Sequence, residues 1–578
     1  MTLDNIYIQD GGLPKEFNKY KIKPSNEPME EFCLPKKFTY QPQQSLLGDL
    51  LPSKHTPWNK DIRGTLVFHQ IGAGKTCTSI AVCENMPNKI NIIVVLPASL
   101  IGNFITELMS ECAGNKYISK DERNKLKKTK PDEIEYKNII KLVMKRIEKK
   151  YTIYSYHKFV NLINENKIKK LNNTLLVIDE IQNMISMSGT FYKSLTKIIE
   201  KSDDTLKLLI MSATPMFDKP VEIALTLNLL IVDKKNQFDI SKFNQTFIKK
   251  NGSNYRAINM KKFRNMIKNL VSYYRGAPPN AYPRVEFKTV RCLMSDFQYK
   301  SYLTTLSSED NYIKGSFKNV DILNMPQNFF LGPRMISNVS FPNKSIGEAG
   351  FKSFNGEALQ MSNIGEYSTK FLKMLTKIKR AKGTIFVYSN FKELGGLRAF
   401  EKFLEAHGYK DYKVWGAGEK RFAVWSGDES TNYKDEIKWM FNSKSNVDGS
   451  SIKIMFGSPS VKEGVSFLRV EQVHIMEPYW NMSRLLQIMG RAVRFCSHKD
   501  VPKSKRLVKI YLYLATYSPR DGKSNIKTID QYIWSLAKKK NKLITQFEHT
   551  LKECAFDCEL LYARNSYKDD EIKLKCFN

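Results

Sequence analysis

The sequence predicts an α/β chain with two parallel-sheet domains. Three observations carry this. Short, continuous, β-branched runs such as NIIVVL, TLLVID and LKLLIM alternate with stretches of helical spacing, as expected of strands buried on both faces. The alternation occurs twice, once from near Thr65 and again from Gly383. A chain of 578 residues is also too long for a single hydrophobic core. The expected division is an N-terminal arm over 1–55, a first α/β domain over 56–225 and a linker or helical insertion over 226–375. A second α/β domain over 376–520 and a helical C-terminal extension over 521–578 follow.

Residues 1–37 are polar, with Gly11-Gly12 and several prolines, and read as an extended arm. TLVFH is a strand running into a glycine-containing loop, and TCTSIAVCENM continues as a helix. INIIVVL, TLLVID and LKLLIM are further strands. The charged stretch KDERNKLKKTKPDEIEYKNIIKLVMKRIEKK reads as a partly helical surface insertion. VEIALTLNLLI is helical, SYYRGAPPNAYP turn-rich and RVEFKTVRCLM strand-like, while Gly347 to Gly356 reads as a loop. In the second block GTIFVYS, FAVWSG, IKIMFGS, QVHIMEP and RLVKIYLYLA are strands, and LGGLRAFEKFLEAHGY is a helix closed by Gly408. The tail from Thr528 to Leu560 keeps apolar residues on one helical face.

The formal charge of +34 points to a polyanionic partner, most simply nucleic acid. Lysine and asparagine are abundant throughout, so compositional bias contributes to that figure. Nine cysteines without paired spacing argue against a disulfide framework and for a reducing compartment, and no spacing favours zinc. Cys554 and Cys558 read as buried packing. The N-terminus lacks a secretory layout and no apolar run reaches membrane-spanning length, so a soluble protein inside a cell or particle is expected.

The chemistry begins at Gly72, Ala73, Gly74, Lys75 and Thr76, between a strand and a helix. Glycines let backbone N–H groups turn toward phosphate oxygens, lysine reaches the β- and γ-phosphates, and the threonine hydroxyl can ligate Mg²⁺. His69 stands where the full phosphate-loop pattern has glycine. Asp179 and Glu180 end a buried strand about 100 residues later. An acid there can hold Mg²⁺, and its neighbour can polarise an attacking water. Ser212 and Thr214 follow the next strand, where a loop can sense the γ-phosphate. In the second block Gln487, Gly490, Arg491 and Arg494 lie in LLQIMGRAVRF, and on a helix the two arginines share a face. They read as arginine fingers that make hydrolysis depend on domain closure. Glu463 and Gly464 occupy a loop suited to ribose or to a nucleic-acid backbone.

This order of motifs resembles superfamily 2 helicases and translocases, from Tyr40 to about Arg494. GAGKT, DEIQ, SATP and QIMGRAVR match motifs I, II, III and VI, and VVLPASLIGNF, IFVYSNF and VKEGVSF look like Ia, IV and V. The resemblance implies two RecA-like domains that use ATP and Mg²⁺, with Thr76 and Asp179 as metal ligands. It implies an adenine contact from Gln44 or its neighbour Gln43. Nucleic-acid contacts are implied at Pro97, Ala98, Ser99, Asn103, Asn390, Ser458 and Ser460, of the kind that position a strand without reading it. Tyr273, Tyr274 and Arg275 read either as base-stacking residues or as core. SYYRGAPPNAYP, VYSNFKELGG, PYWNMSRLLQIMGRAVRFCSHKDVP and LKECAFDCEL are similar to segments of large DNA virus ATPases, including poxvirus nucleoside triphosphatase I, the early transcription factor small subunit, and their giant-virus and asfarvirus relatives. That implies a DNA-dependent ATPase of viral transcription, found in the virion and host cytoplasm, with a viral RNA polymerase or transcription factor subunit as partner. A promoter-clamping initiation factor with incidental hydrolysis and an RNA helicase are the other readings. Gln182 departs from the histidine that many relatives carry.

Overall fold

A computed structural model describes residues 13–24, 32–33, 37–129, 133–185, 189–252, 254–308, 312–313, 316–317, 330–462, 465–517, 527–567 and 570–577. The chain divides into two compact units, Met1–Pro278 with Lys542–Asn578, and Pro279–Asn541. The stretch 226–375 has residues in both units, as does the stretch 521–578.

The first unit is built on a six-stranded sheet in the order β3-β2-β4-β5-β1-β8. Its strands are β1 (Gly64–His69), β2 (Asn91–Leu96), β3 (Tyr151–Ser155), β4 (Thr174–Asp179), β5 (Lys207–Ser212) and β8 (Val271–Tyr274). All neighbours pair in parallel. β1 and β4 are buried along their whole length, which accounts for their unbroken apolar runs. A small antiparallel hairpin, β6 (Ile248–Asn251) and β7 (Asn254–Ala257), precedes β8. The charged insertion folds as helices Lys120–Lys128 and Ile134–Glu148. The second buries Ile139, Val143 and Ile147 at helical spacing, so it belongs to the core on one face.

The arm is anchored. Its 3₁₀ turn Lys15–Tyr20 buries Phe17, and Ile22 N–H donates to the Leu560 carbonyl at 2.9 Å. Phe17, Leu46, Ala73, Tyr274, Leu560 and Leu561 share one apolar cluster, so the segments around residues 17 and 560 both pack beside the phosphate loop.

The second unit carries a seven-stranded sheet in the order β13-β14-β15-β12-β16-β17-β9, also parallel throughout. Its strands are β9 (Arg284–Leu293), β12 (Thr384–Tyr388), β13 (Lys410–Asp411), β14 (Arg421–Trp425), β15 (Ile454–Gly457), β16 (Val470–Ile475) and β17 (Leu507–Thr516). β10 (Tyr312–Ile313) and β11 (Ser316–Phe317) form a separate antiparallel pair. The segment read as a glycine loop contains the helix Glu348–Ser353. Gly347 and Gly356, at φ 96° and 50°, bracket it rather than unravel it. A buried ion pair, Lys370 Nζ to Asp530 Oδ2 at 2.6 Å, ties the helix Thr369–Ile378 to the start of the helix Ile529–Glu553. Asn338 Oδ1 and the Ala515 N–H supply the further hydrogen bonds that a buried pair requires.

The cysteine expectation is corrected. Cys77 is bonded to Cys112 and Cys558 to Cys576, pairs brought together by folding over separations of 35 and 18 residues that no sequence spacing announces. Cys83, Cys292 and Cys554 are free and buried. Among the described residues no helix is long and apolar enough to cross a membrane, and no three His, Cys, Asp or Glu side chains gather as a metal site.

Candidate functional site

β1 ends at His69, and the chain turns through Gln70–Gly74 into the helix Lys75–Asn85. Gly72 and Gly74 take φ of 82° and 73°, a conformation that costs other residues about 1 kcal/mol or more. A Cβ on Gly74 would lie 2.5 Å from Gln44 Nε2. The loop is thus free of side chains where a phosphate would approach the first N–H groups of the helix.

His69 is fully buried in the ladder, paired with Tyr274 of β8, so the loop proper begins one residue later. Its Nε2 lies 3.0 Å from Ser272 Oγ, and Ser272 donates to Asp557 Oδ2 at 2.5 Å. Burial holds the imidazole down at about 3, so it is neutral. The serine's donation to Asp557 leaves its oxygen to accept Nε2–H, which assigns the tautomer.

Gln43 and Gln44 brace the loop from the helix Pro42–Leu50. Gln43 Nε2 donates to the Ala73 carbonyl at 3.0 Å and Gln44 Nε2 to the Gly74 carbonyl at 3.3 Å. Gln44 Oε1 accepts the Gln41 N–H, while Gln43 Oε1 is buried without a donor among the described residues.

Asp179 closes β4 and is 6 % exposed. Glu180 follows in the left-handed region at φ 53°. The hydroxyl of Tyr156 donates to the carbonyls of both Asp179 and Glu180 and holds that strained corner. Lys75 Nζ lies 3.7 Å from Glu180 Oε1, both largely buried. Gln182 Nε2 donates to Glu180 Oε2 at 2.7 Å, Ser212 Oγ donates to Gln182 Oε1 at 2.7 Å, and the Thr214 N–H donates to Ser212 Oγ at 3.0 Å. Three separately read motifs form one polar chain: the Lys75–Glu180 ion pair, continued by the hydrogen bonds Glu180–Gln182–Ser212–Thr214. Thr76 is half-buried on the first turn of the phosphate-loop helix.

Pro97, Ala98 and Ser99 follow β2, with Ala98 and Ser99 exposed, and Asn103 lies half-buried in the helix Ile101–Leu108. Tyr273 and Tyr274 are 2 % exposed inside β8, and Arg275 Nη1 meets both oxygens of Asp570 at 2.8 Å. The core alternative therefore holds for the two tyrosines, whose rings are buried on an edge strand covered by the C-terminal segment, and Arg275 is engaged in an ion pair.

In the second unit Asn390, Ser458 and Ser460 stand just after β12 and β15, at the carboxyl ends of parallel strands. Ser458 is buried, Ser460 is exposed, and their hydroxyls lie 3.0 Å apart. Glu477, just beyond β16 and 1 % exposed, holds the strand ends together. It accepts from Ser389 Oγ, from the Asn390 N–H and side chain, and from Asn338 Nδ2. Neither Glu477 nor Tyr156 belongs to a motif read from the sequence. An acid closing an apolar strand in MEP, as Asp179 does in the first unit, was the available signal for Glu477. Tyr156 had none.

Arg491 and Arg494 do not share a helical face. The helix Met482–Met489 stops before them. Arg491 Nε donates to the Gln487 carbonyl at 3.1 Å and Arg494 Nε to the Gly490 carbonyl at 2.8 Å, so both cations cap the helix end whose dipole attracts them. Arg491 and Gln487 are 6 % and 7 % exposed. Glu463 and Gly464 lie outside the described residues.

The sequence matches the SNF2-related domain over residues 39–339 and the helicase conserved C-terminal domain over residues 368–496. It is 48% identical over 564 residues to R563 of Acanthamoeba polyphaga mimivirus, whose name puts it forward as an ATP-dependent RNA helicase; the match covers 97% of this chain and 96% of that protein. It is 25% identical over 565 residues to a protein of African swine fever virus named as a termination factor NPH-I homolog, covering 86% of this chain and 77% of the relative. The Sulfolobus solfataricus SWI2/SNF2 ATPase core, solved in complex with dsDNA, is similar at 16% identity with a TM-score of 0.28, covering 87% of this chain and 92% of that one. On the two family models and the 48% identity to R563, the chain, with its two RecA-like parallel-sheet units, belongs to the SNF2-related family of superfamily 2 helicases and ATPases, among relatives from large DNA viruses.

Proposed function

We propose that this protein is a DNA-stimulated ATPase motor acting in viral transcription, in the virion and host cytoplasm. The observation that carries the ATPase reading is the polar chain from Lys75 to Thr214, an ion pair followed by three hydrogen bonds. It joins a phosphate-contacting lysine and a candidate water-activating carboxylate to the loop after the next strand, so a change at the nucleotide reaches that loop by exchange of partners. ATP is the substrate. The loop amides and Lys75 bind its phosphates, Gln44 or its neighbour Gln43 contacts the adenine, and Glu180 orients the attacking water. Thr76 and Asp179 are the residues that would hold Mg²⁺, which supplies charge neutralisation at the β- and γ-phosphates. Gln487, Glu463 and Gly464 contribute from the second unit, where Arg491 and Arg494 stabilise the charge developing on the γ-phosphate.

The polymer is gripped through its backbone by Pro97–Ser99, Asn103, Asn390, Ser458 and Ser460. The net charge of +34 supports a polyanion, and the name of the African swine fever virus relative supports a transcriptional task. The name given to R563 favours a second reading, an RNA-stimulated enzyme.

Steady-state ATPase measured with single-stranded DNA, duplex DNA and RNA separates the two readings. DNA is expected to raise kcat most. Lys75→Ala and Glu180→Gln are expected to lower kcat by about 100-fold or more at unchanged Tm. Turnover like the parent in either variant counts against the site, and stimulation by RNA alone counts against DNA as the polymer.

A further inference from the structure

β9 closes one edge of the second unit's sheet and is paired, among the described residues, only with β17, over ten register positions from Leu507↔Arg284 to Thr516↔Leu293. The Arg284 and Met294 N–H groups donate to the Arg506 and Thr516 carbonyls, so the even-numbered residues face β17 and the odd-numbered ones face outward. The outward carbonyls at the far end are covered, Arg291 by Lys373 Nζ and Leu293 by Thr369 Oγ1, each at 2.6 Å. At Val285, Phe287 and Thr289 the outward N–H and C=O groups have no partner among the described residues. Among the described residues, half of this edge is closed by the chain itself and half is open.

Long exposed edges are normally blunted, because an unpaired backbone row templates another strand. This one instead offers two different faces. On one face Val285 and Phe287 are 43% and 39% exposed, and the Phe287 ring lies 6.0 Å from that of Trp534. On the other face Lys288 joins Lys373, Lys377 and Arg380. Burial first, then repulsion from Arg380, Lys288 and Lys373, holds the Lys377 ammonium below its ordinary range. Among these, Lys288 has a carboxylate close by, Glu286 at 3.3 Å.

We propose that the Arg284–Thr289 half of β9 is a docking edge for an extended acidic polypeptide. The partner adds one strand to the sheet, its backbone pairing with Val285, Phe287 and Thr289. Its acidic side chains lie on the face of Lys288, Lys373 and Lys377, and its apolar ones on the face of Phe287 and Trp534. The free backbone row selects a polypeptide over a nucleic acid, which has no matching ladder of donors and acceptors. The proposal does not depend on the ATPase reading, since every residue it uses lies in the second unit away from the motifs.

The test titrates the full chain with a fluorescein-labelled peptide of about ten alternating glutamates and valines, a typical strand length or slightly more. Fluorescence polarisation is expected to show saturable binding that weakens with salt. Phe287→Pro removes an outward N–H without touching the bonds to β17, and is expected to weaken binding about tenfold or more. Lys288→Glu, which leaves the backbone alone, is expected to weaken it in the same direction. Amide exchange over 284–290 is expected to slow with peptide bound. Absence of saturable binding overturns the proposal. So does affinity of both variants equal to that of the parent chain, equal binding of a lysine–valine peptide, or displacement of the peptide by oligothymidylate. Self-association of the parent chain that Phe287→Pro abolishes would assign the edge to a second copy instead and also overturn it.

Discussion

β8 and β9 follow one another in the chain, and each closes the edge of a parallel sheet, yet they end in opposite conditions. β8 has four residues, all buried, and β9 has ten, mostly exposed. The outward groups of β8 are met by the C-terminal segment. The Phe556 N–H donates to the Val271 carbonyl, the Tyr273 N–H to Asp557 Oδ1 and Asn565 Nδ2 to the Tyr273 carbonyl, while Asn565 Oδ1 accepts the Arg275 N–H. A short strand is thus completed by backbone and side-chain groups from nearly 300 residues away, whereas the long strand has its far end covered from within its own unit and, among the described residues, its near end left open. An edge next to the phosphate loop is sealed, and an edge on the other unit is available for contact.

Removing residues 554–578 is the strongest way to break that contrast. Several buried backbone groups of β8 would lose their partners at about 1–3 kcal/mol each, and Leu560 and Leu561 would leave the cluster beside Ala73. We expect the first unit to unfold or become protease-sensitive, read by urea denaturation and limited proteolysis. A truncated chain as stable as the parent would show that the tail is dispensable. Next is Asp557. Asp557→Ala is expected to cost about 2–3 kcal/mol, since it strands the Ser272 and Tyr273 donors.

The isosteric Asp557→Asn tests the pH dependence. Burial raises the Asp557 carboxyl to about 7, against 3.8 for the free group. Between those values the folded chain holds a proton that the unfolded chain has released. This contribution to stability therefore falls as pH rises from about 4 to 7, by at most about 1.4 kcal/mol per pH unit. Asp557→Asn is expected to flatten that slope in denaturation curves taken across the range, and an unchanged slope would reassign it. Smaller still is Arg275→Ala, which removes a partly exposed pair with Asp570 and should cost about 1 kcal/mol or less. The smallest effect is expected at the open edge, where Phe287→Thr should alter Tm-derived stability by less than about 0.5 kcal/mol. A larger loss would mean that β9 is already engaged within the fold.

What the sequence made legible follows from distance along the chain. Strands with unbroken apolar runs, the phosphate loop and the acid pair are local patterns, and each was readable in place. β8 was not, because VSYY is four residues long and its burial depends on Asp557 and Asn565. The same applies to Cys558–Cys576 and to Phe17, which only the assembled unit brings to their partners. Arg491 and Arg494 were readable as residues but not as geometry, since helical spacing gives no sign that the helix stops at Met489 and is capped by their own side chains. The candidate site was therefore visible as a roster. Its wiring through Tyr156, Gln182 and Glu477 required coordinates.

The amide of Gln182 gives that wiring one property of its own. It donates at one end to a carboxylate and accepts at the other from a hydroxyl, and it changes neither role between pH 5 and 8. An imidazole in its place would gain a proton within that interval and lose its capacity to accept. The link from Glu180 to Ser212 is therefore a latch indifferent to acidity, set by the occupant of the loop and not by the compartment around the protein.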